Sequence, residues 1–168
     1  VIAGCMAGFW FCSRDNVTGA PEIAMPAMVK VPAGAFEMGN AVFPTAQPVR
    51  KITLTDDFHI GKFEVTNKQY ADILNYALSK GYLDKSALDV KAKKREARGV
   101  SRSPQKYQDV FDEHSQISFV DGSFRAVVGK ENFPVVEVTW YGAAFFCNML
   151  SEIEGLTPLY DLDDWSCQ

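Results

Sequence analysis

FPVVEVTWYGAAFFCNMLS, residues 133–151, is the stretch against which most other apolar segments of the chain are expected to pack. Its valines are β-branched, as is typical of a strand. Pro134 precedes them at the start of that strand, where the N–H that proline lacks is not needed for pairing with a neighbouring strand. Thr139 is a good N-cap, and apolar residues then recur at helical spacing as far as Gly155, a typical C-terminal stop. The sequence therefore predicts a strand that leads directly into a buried helix.

A second helix and several short strands surround this stretch in the sequence. Thr66 and Gln69 have the spacing of a capping box, and the apolar positions that follow have helical periodicity up to Gly81. Asp121-Gly122 is a strong turn signal inside a hairpin pattern. Further extended segments are predicted at 28–39, 49–55 and 58–66, the first as two strands around a Pro/Gly turn. Short strands with two helices, without βαβ alternation, indicate an α+β fold.

Size and charge limit the classes of function. The chain has 168 residues, 47% of them hydrophobic and 23% charged, as in an ordinary globular domain. Its net charge of −4 argues against nucleic acid as a partner. A basic run at 91–98 is interpreted as a solvated surface insertion. No apolar run reaches the ~18–20 residues that span a bilayer.

The N-terminal residues suggest export. Residues 1–12 are almost wholly apolar and then turn polar, as at the end of a secretory signal. Residues 2–5, Ile-Ala-Gly-Cys, resemble a bacterial lipobox, in which Cys5 is lipidated and anchors the chain to a membrane. The alternative is a buried strand or an interface segment. We expect residues 1–27 to form this apolar segment with a linker, and residues 28–168 to form the domain.

The cysteines do not have the spacing of a zinc site. Cys147 lies on the apolar stripe of the predicted helix, so a buried thiol is the favoured interpretation. A disulfide in an exported protein is the alternative, and the sequence does not name its partner. A nucleophilic Cys147 is disfavoured because no histidine is near it in sequence.

Other candidate ligands and catalytic groups are few. His59 and His114 are far apart in sequence, and each is interpreted as a packed or solvated imidazole. Asp161, Asp163 and Asp164 could offer oxygen ligands to Ca²⁺, but they lack the pattern of a calcium loop. A solvated turn is the favoured interpretation of that acidic cluster.

Four segments, in order, resemble the formylglycine-generating enzyme (sulfatase-modifying factor) family. They are residues 28–39, 58–70, 133–151 and 155–162. The resemblance implies an irregular α+β fold akin to C-type lectins, with short antiparallel strands and two main helices. It also implies that residues 28–168 are the N-terminal portion of a larger domain. We therefore expect the polypeptide alone to expose apolar surface and to bind hydrophobic dyes.

The family oxidises a substrate cysteine to formylglycine with copper and O₂, and complete catalytic members also bind calcium. In the family the catalytic cysteine pair and the calcium ligands lie in a C-terminal half, and no cysteine here matches that pair. The resemblance thus implies no catalytic, cofactor-binding or metal-binding residue in this segment, which should be inactive alone. It implies framework roles for a small set of residues: Thr66, Trp140, Gly142 and Cys147.

Two functions follow from the resemblance. One is an exported bacterial oxidase whose partner is a sulfatase polypeptide. The other is a non-catalytic envelope lipoprotein, similar to gliding-motility components, or a ligand-binding scaffold on the same fold. Both imply a location in the bacterial envelope, the periplasm or the outer surface.

Overall fold

The computed structural model describes residues 23–83, 96–98, 106–109, 114–164 and 166–167. These residues form two compact units. The smaller comprises residues 27–62, and the larger comprises residues 23–26 together with those from 63 onward. Short antiparallel strand pairs and two helices make up the elements, so the predicted α+β class is confirmed.

The smaller unit contains two antiparallel strand pairs. Strand β1 (Met28–Val31) pairs with β4 (Phe58–Gly61), and β2 (Gly34–Met38) pairs with β3 (Arg50–Leu54). The two strands predicted within residues 28–39 are therefore present, but each pairs with a later strand. The turn between β1 and β2 is fastened to the later segment as well, because the Ala33 N–H donates to Asp57 Oδ1 at 2.8 Å.

None of the residues in this smaller unit is buried. Ile52 and Leu54 of β3 are half-buried. Several large apolar side chains of the unit are exposed: Met28, Val29, Phe36, Met38, Val42, Phe43 and Val49.

In the larger unit, helix α1 (Asn67–Lys80) begins and ends where the sequence predicts. The Gln69 N–H donates to Thr66 Oγ1 at 3.3 Å, and the Thr66 N–H donates to Gln69 Oε1 at 3.0 Å. This reciprocal pair is the predicted capping box. Gly81 follows the helix with φ 77°, the left-handed conformation that glycine adopts without a steric cost.

Helix α2 (Trp140–Ile153) confirms the second half of the opening stretch. Thr139 caps it, since its Oγ1 accepts from the Gly142 N–H at 3.1 Å. The strand predicted before it is wrong: Pro134 forms an isolated bridge with Thr66, and no strand follows. Glu137 has φ 61°, a left-handed conformation that interrupts an extended backbone despite the flanking valines.

A β-hairpin packs on α1. Strands β7 (Ile117–Val120) and β8 (Ser123–Ala126) pair in register across Asp121 and Gly122, both at positive φ, so the predicted hairpin is confirmed. The described part of the larger unit also holds a second antiparallel pair, placed between α1 and β7 in sequence. It consists of β5 (Glu96–Arg98) and β6 (Lys106–Asp109), and β6 contacts α2.

The core of the larger unit is formed by α1, α2 and the β7–β8 hairpin. Tyr70 of α1 stacks on Phe146 of α2 with ring centroids 5.5 Å apart. The buried apolar residues include Tyr70, Ile73, Leu74, Ala77, Leu83, Ile117, Phe124, Phe145, Phe146, Met149 and Leu150.

In the described ranges, no helix is long and apolar enough to cross a membrane.

Candidate functional site

Trp140 is the most exposed aromatic side chain of α2, the helix that the sequence analysis singles out. It opens α2 and is 57% exposed. Its ring makes edge-to-face contacts with Tyr141 and Tyr160, with centroids 5.4 and 5.8 Å away. Trp140, expected to have a framework role, thus lies at the surface within a small aromatic group.

Asn148 positions one member of that aromatic group. It is buried in α2, where its Nδ2 donates to the Tyr160 carbonyl at 2.7 Å. The Tyr160 N–H donates back to Asn148 Oδ1 at 3.1 Å. The amide therefore fastens the backbone after α2 to the helix, and both its nitrogen and its oxygen are engaged.

The acidic cluster after Tyr160 forms local turns. The Asp163 N–H donates to Asp161 Oδ1 at 2.7 Å, and the Ser166 N–H donates to Asp164 Oδ1 at 2.8 Å. The hydrogen bond from the Ser166 backbone is the main reason why the pKa of Asp164 lies below its usual value. These contacts are those of Asx turns, which need no cation.

The described residues do not form a site for the copper or calcium that the resemblance implies for complete family members. Across the described ranges, no group of three or more His, Cys, Asp or Glu side chains is placed to hold a metal ion. His59 lies half-buried in β4 of the smaller unit, whereas His114 is exposed in the larger unit.

Cys147 is a half-buried thiol on α2 and forms no disulfide. Burial raises the pKa of the Cys147 thiol, because the charged thiolate loses its solvation there. The thiolate is the nucleophile and the metal ligand, so Cys147 is a poor candidate for either role. Cys5, the predicted lipidation site, lies outside the described residues.

A carboxylate between the two helices was not predicted from the sequence. Tyr76 Oη of α1 donates to Glu152 Oε1 of α2 at 2.8 Å, and Tyr82 Oη donates to the same oxygen at 3.4 Å. Burial, followed by the Glu152 carboxylate, raises the pKa of Tyr76 to about 12. The three groups form a helix-to-helix link.

Two further asparagines also serve the backbone and were not predicted. Asn75 Nδ2 donates to the Phe124 carbonyl at 2.8 Å and Asn75 Oδ1 accepts from the Phe124 N–H at 2.7 Å. Asn67 Nδ2 donates to the Lys130 carbonyl at 2.8 Å. One sequence feature could have indicated these roles: each asparagine lies next to or within the apolar stripe of a predicted helix. A side-chain amide at such a position needs a hydrogen-bonding partner.

The smaller unit carries the clearest candidate for a binding surface. Directly paired residues of antiparallel strands share a face, so Phe36 and Met38 lie on the same face as Ile52. Phe36 is 48% exposed and Met38 is 51% exposed. We call this face, which also includes Leu54 and Arg50, the β2–β3 apolar face.

The sequence matches known proteins over nearly its whole length. A family model described as "Sulfatase-modifying factor enzyme 1-like domain" matches residues 13–165. The chain is also similar to "Chaperone protein LppX" of Paenibacillus barcinonensis, at 25% identity over 163 residues, which cover 97% of this chain and 38% of that relative. The chain thus spans well under half the length of the curated relative that it matches. The match over residues 13–165 shows that the chain belongs to the family of sulfatase-modifying factor enzyme 1-like domains.

Proposed function

We propose that this chain is a polypeptide-binding part of a sulfatase-modifying-factor-type domain, and that residues 1–168 alone do not oxidise a substrate cysteine. The observation that carries the proposal is the β2–β3 apolar face. Phe36 and Met38 are large apolar side chains about half exposed on a paired sheet, where a folded protein ordinarily hides such groups.

The polar side chains of the larger unit support the same proposal. Asn75 and Asn148 are each engaged in two hydrogen bonds to the backbone, and Glu152 accepts from two tyrosines. These groups are occupied in holding the fold. The pKa of the Cys147 thiol is raised, which disfavours thiolate chemistry.

The similarity to a protein named as a chaperone agrees with a polypeptide partner. A chaperone and an enzyme that modifies sulfatases both act on another protein, so a polypeptide-binding role is common to both. We propose an exported polypeptide as that partner and the bacterial envelope as the location, with Cys5 as a lipid anchor. A lectin-like arrangement of the short strands belongs to the same proposal.

The second candidate function is the formation of formylglycine on a sulfatase polypeptide, and the family match favours it. This function needs a redox-active cysteine pair and copper. Cys147 and Cys167 lie twenty residues apart along the chain, and neither belongs to a metal-holding group in the part of the chain that the structure describes. Each candidate is therefore tested on the 168-residue chain by its own assay.

The first assay tests polypeptide binding, and the second tests oxidation by the 168-residue chain itself. In the first, a denatured exported protein is diluted into buffer with or without the chain, and light scattering reports aggregation. In the second, a cysteine peptide from a sulfatase is incubated with the chain, copper and O₂, and mass spectrometry reports aldehyde formation.

We expect suppressed scattering and no aldehyde. An acidic protein of similar size serves as the control for suppression, and a Cys147→Ser, Cys167→Ser variant should suppress scattering equally well. Aldehyde formation by the 168-residue chain would instead establish the oxidase function. Unchanged scattering, with no binding of the denatured protein, would refute a polypeptide-binding role.

A further inference from the structure

We propose that the β2–β3 apolar face binds an extended apolar polypeptide segment that carries an acidic residue near one end. This inference rests on the proposed polypeptide-binding function and assigns it a surface and a class of ligand. The face runs from Leu54, opposite Gly34, through Phe36 and Ile52 to Met38, which lies opposite Arg50.

The apolar character of the face is confined to one side of the strand pair. On the other side the register places Ala35 opposite Thr53 and Glu37 opposite Lys51. Alternation along a strand sends successive side chains to opposite faces, so the two sides differ sharply in polarity. An amphipathic hairpin of this kind gains stability when its apolar side is covered, because burial of apolar surface is the main favourable term in association.

The loop between β2 and β3 extends the apolar surface past Met38. Val42 and Phe43 in this loop are 77% and 61% exposed. The loop is held by its own hydrogen bonds: the Asn40 N–H donates to the Ala46 carbonyl at 3.0 Å, and the Val42 N–H donates to Asn40 Oδ1 at 2.7 Å. A loop braced in this way loses little entropy when a ligand binds to it.

Gln47 and Gly39 complete the bracing of this loop. Gln47 Nε2 donates to the Ala41 carbonyl at 2.8 Å. Gly39 lies so close to the later part of the same loop that an added Cβ would meet the Ala46 carbonyl oxygen at 2.6 Å. The exposed position of Val42 and Phe43 is therefore fixed by the backbone around them.

The charge at one end of the face selects the ligand. Arg50 lies at the Met38 end, and in the described part of the chain it takes part in no ion pair, whereas Lys30 of the same unit is paired with Asp57 at 2.7 Å. An arginine beside an apolar face is suited to a carboxylate at the matching end of the ligand. Met38 adds an adaptable contact, which suits a ligand of variable sequence.

The test uses the 168-residue chain and two labelled peptides. Both peptides alternate valine with threonine, and one ends in glutamate while the other ends in lysine. Fluorescence anisotropy reports the Kd. We expect the glutamate peptide to bind more tightly, and we expect the double variant Phe36→Ser, Met38→Ser to weaken that binding by about tenfold or more.

Two matched controls make the result specific. The double variant Ala35→Ser, Thr53→Ala changes the opposite side of the same strands and should leave the Kd unchanged. Arg50→Glu should reverse the preference between the two peptides. Because Arg50 is exposed, this charge reversal keeps the proposal testable if the serine variant does not fold.

Several outcomes would overturn the proposal. If the serine variant binds the glutamate peptide as tightly as the parent chain does, the peptide binds at another surface. Suppressed scattering in the aggregation assay would then still support the proposed function. A concentration-dependent dimer in sedimentation velocity that the serine variant abolishes would identify a second copy as the occupant. If the chain co-sediments with anionic lipid vesicles and a Phe43 variant does not, the occupant of the face is a membrane surface.

A last experiment measures hydrogen exchange on the protein in its naturally produced form, to test whether the β2–β3 apolar face is free. We expect the amides of β2 to gain protection when the glutamate peptide is added. If the β2 amides that do not bond to β3 are fully protected before any peptide is present, the protein's own chain covers this part of the strand pair, and the proposal fails.

Discussion

Asn148 and Tyr160 exchange two hydrogen bonds, so that one buried side-chain amide fastens the backbone after α2 to that helix. The Nδ2 group donates to the Tyr160 carbonyl at 2.7 Å, and the Tyr160 N–H donates to Oδ1 at 3.1 Å. Asn75 makes the same pair of bonds with Phe124 at 2.8 and 2.7 Å. A strand and a segment after α2 are thus each fastened to a helix by an amide side chain.

Replacement of Asn148 by alanine should destabilise the protein by about 1–3 kcal/mol, because a buried N–H and a carbonyl lose their partners. The midpoint of urea unfolding, followed by circular dichroism, measures the change. Glu154→Ala is the matched control, since Glu154 is exposed at the end of the same helix and its loss should leave the midpoint unchanged. Equal midpoints for Asn148→Ala and the parent chain would contradict a bracing role for the amide.

The Tyr76–Glu152 link predicts a loss of stability at alkaline pH. The pKa of Tyr76 is raised from 10.0 to about 12, chiefly by burial and then by the Glu152 carboxylate. The folded state therefore favours the protonated phenol. The resulting contribution to stability is present below pH 10 and is lost as the pH rises toward about 12.

The variant Tyr76→Phe isolates this effect from the other groups that titrate in the same range. We expect the free energy of unfolding of the variant to fall less steeply than that of the parent chain between pH 10 and about 12. Urea unfolding at a series of pH values measures both slopes. Parallel curves for the two proteins would show that Tyr76 does not titrate with folding.

Features set by neighbouring residues could be predicted from the sequence. The capping box at Thr66 and Gln69 and the left-handed stop at Gly81 involve only local backbone and side-chain chemistry, and both are present. The turn at Asp121 and Gly122 is equally local, because two adjacent residues at positive φ suffice to define it.

Features set by distant residues could not be predicted in this way. The valines before α2 favour a strand, yet Glu137 adopts φ 61° and the segment forms isolated bridges, one of them between Pro134 and Thr66. The sequence did not indicate that β1 pairs with β4, because that choice depends on chain closure over intervening residues. The partners of Asn148 and Glu152 depend on packing between elements, which periodicity does not report.

Cys147 should react slowly with thiol reagents in the folded protein. Burial raises the pKa of its thiol and so lowers the thiolate fraction at neutral pH. Iodoacetamide labelling followed by peptide mapping should show rapid modification of the exposed Cys167 and modification of Cys147 only after urea is added. Rapid labelling of Cys147 in native buffer would reopen its candidacy as a nucleophile.

Cys5 should carry an acyl group if residues 2–5 act as a lipobox. Expression in a bacterium that processes lipoproteins, in the presence of a labelled fatty acid, should label the parent chain and leave the Cys5→Ser variant unlabelled. Cys12→Ser is the matched control and should retain the label. Unchanged labelling of the Cys5→Ser variant would remove the lipoprotein hypothesis.

Gly34, the first residue of β2, and Gly39, which follows β2, should differ in their tolerance of alanine. Gly39 has φ 112°, and an added Cβ would lie 2.6 Å from the Ala46 carbonyl oxygen, so Gly39→Ala must displace backbone. At Gly34 an added Cβ meets no atom within 4 Å. We expect Gly39→Ala to cost about 1–3 kcal/mol locally and to open the loop between β2 and β3, while Gly34→Ala should have little effect.

Hydrogen exchange measures this difference segment by segment. In Gly39→Ala, exchange should accelerate at the amides of Asn40 and Val42, which are hydrogen-bonded in the loop, and should stay unchanged in α1. If the loop holds Val42 and Phe43 in place for a ligand, Gly39→Ala should also weaken binding of the glutamate peptide. Weakened peptide binding with unchanged exchange at Asn40 and Val42 would show that the substitution acts on the ligand contact and not on the bracing of the loop.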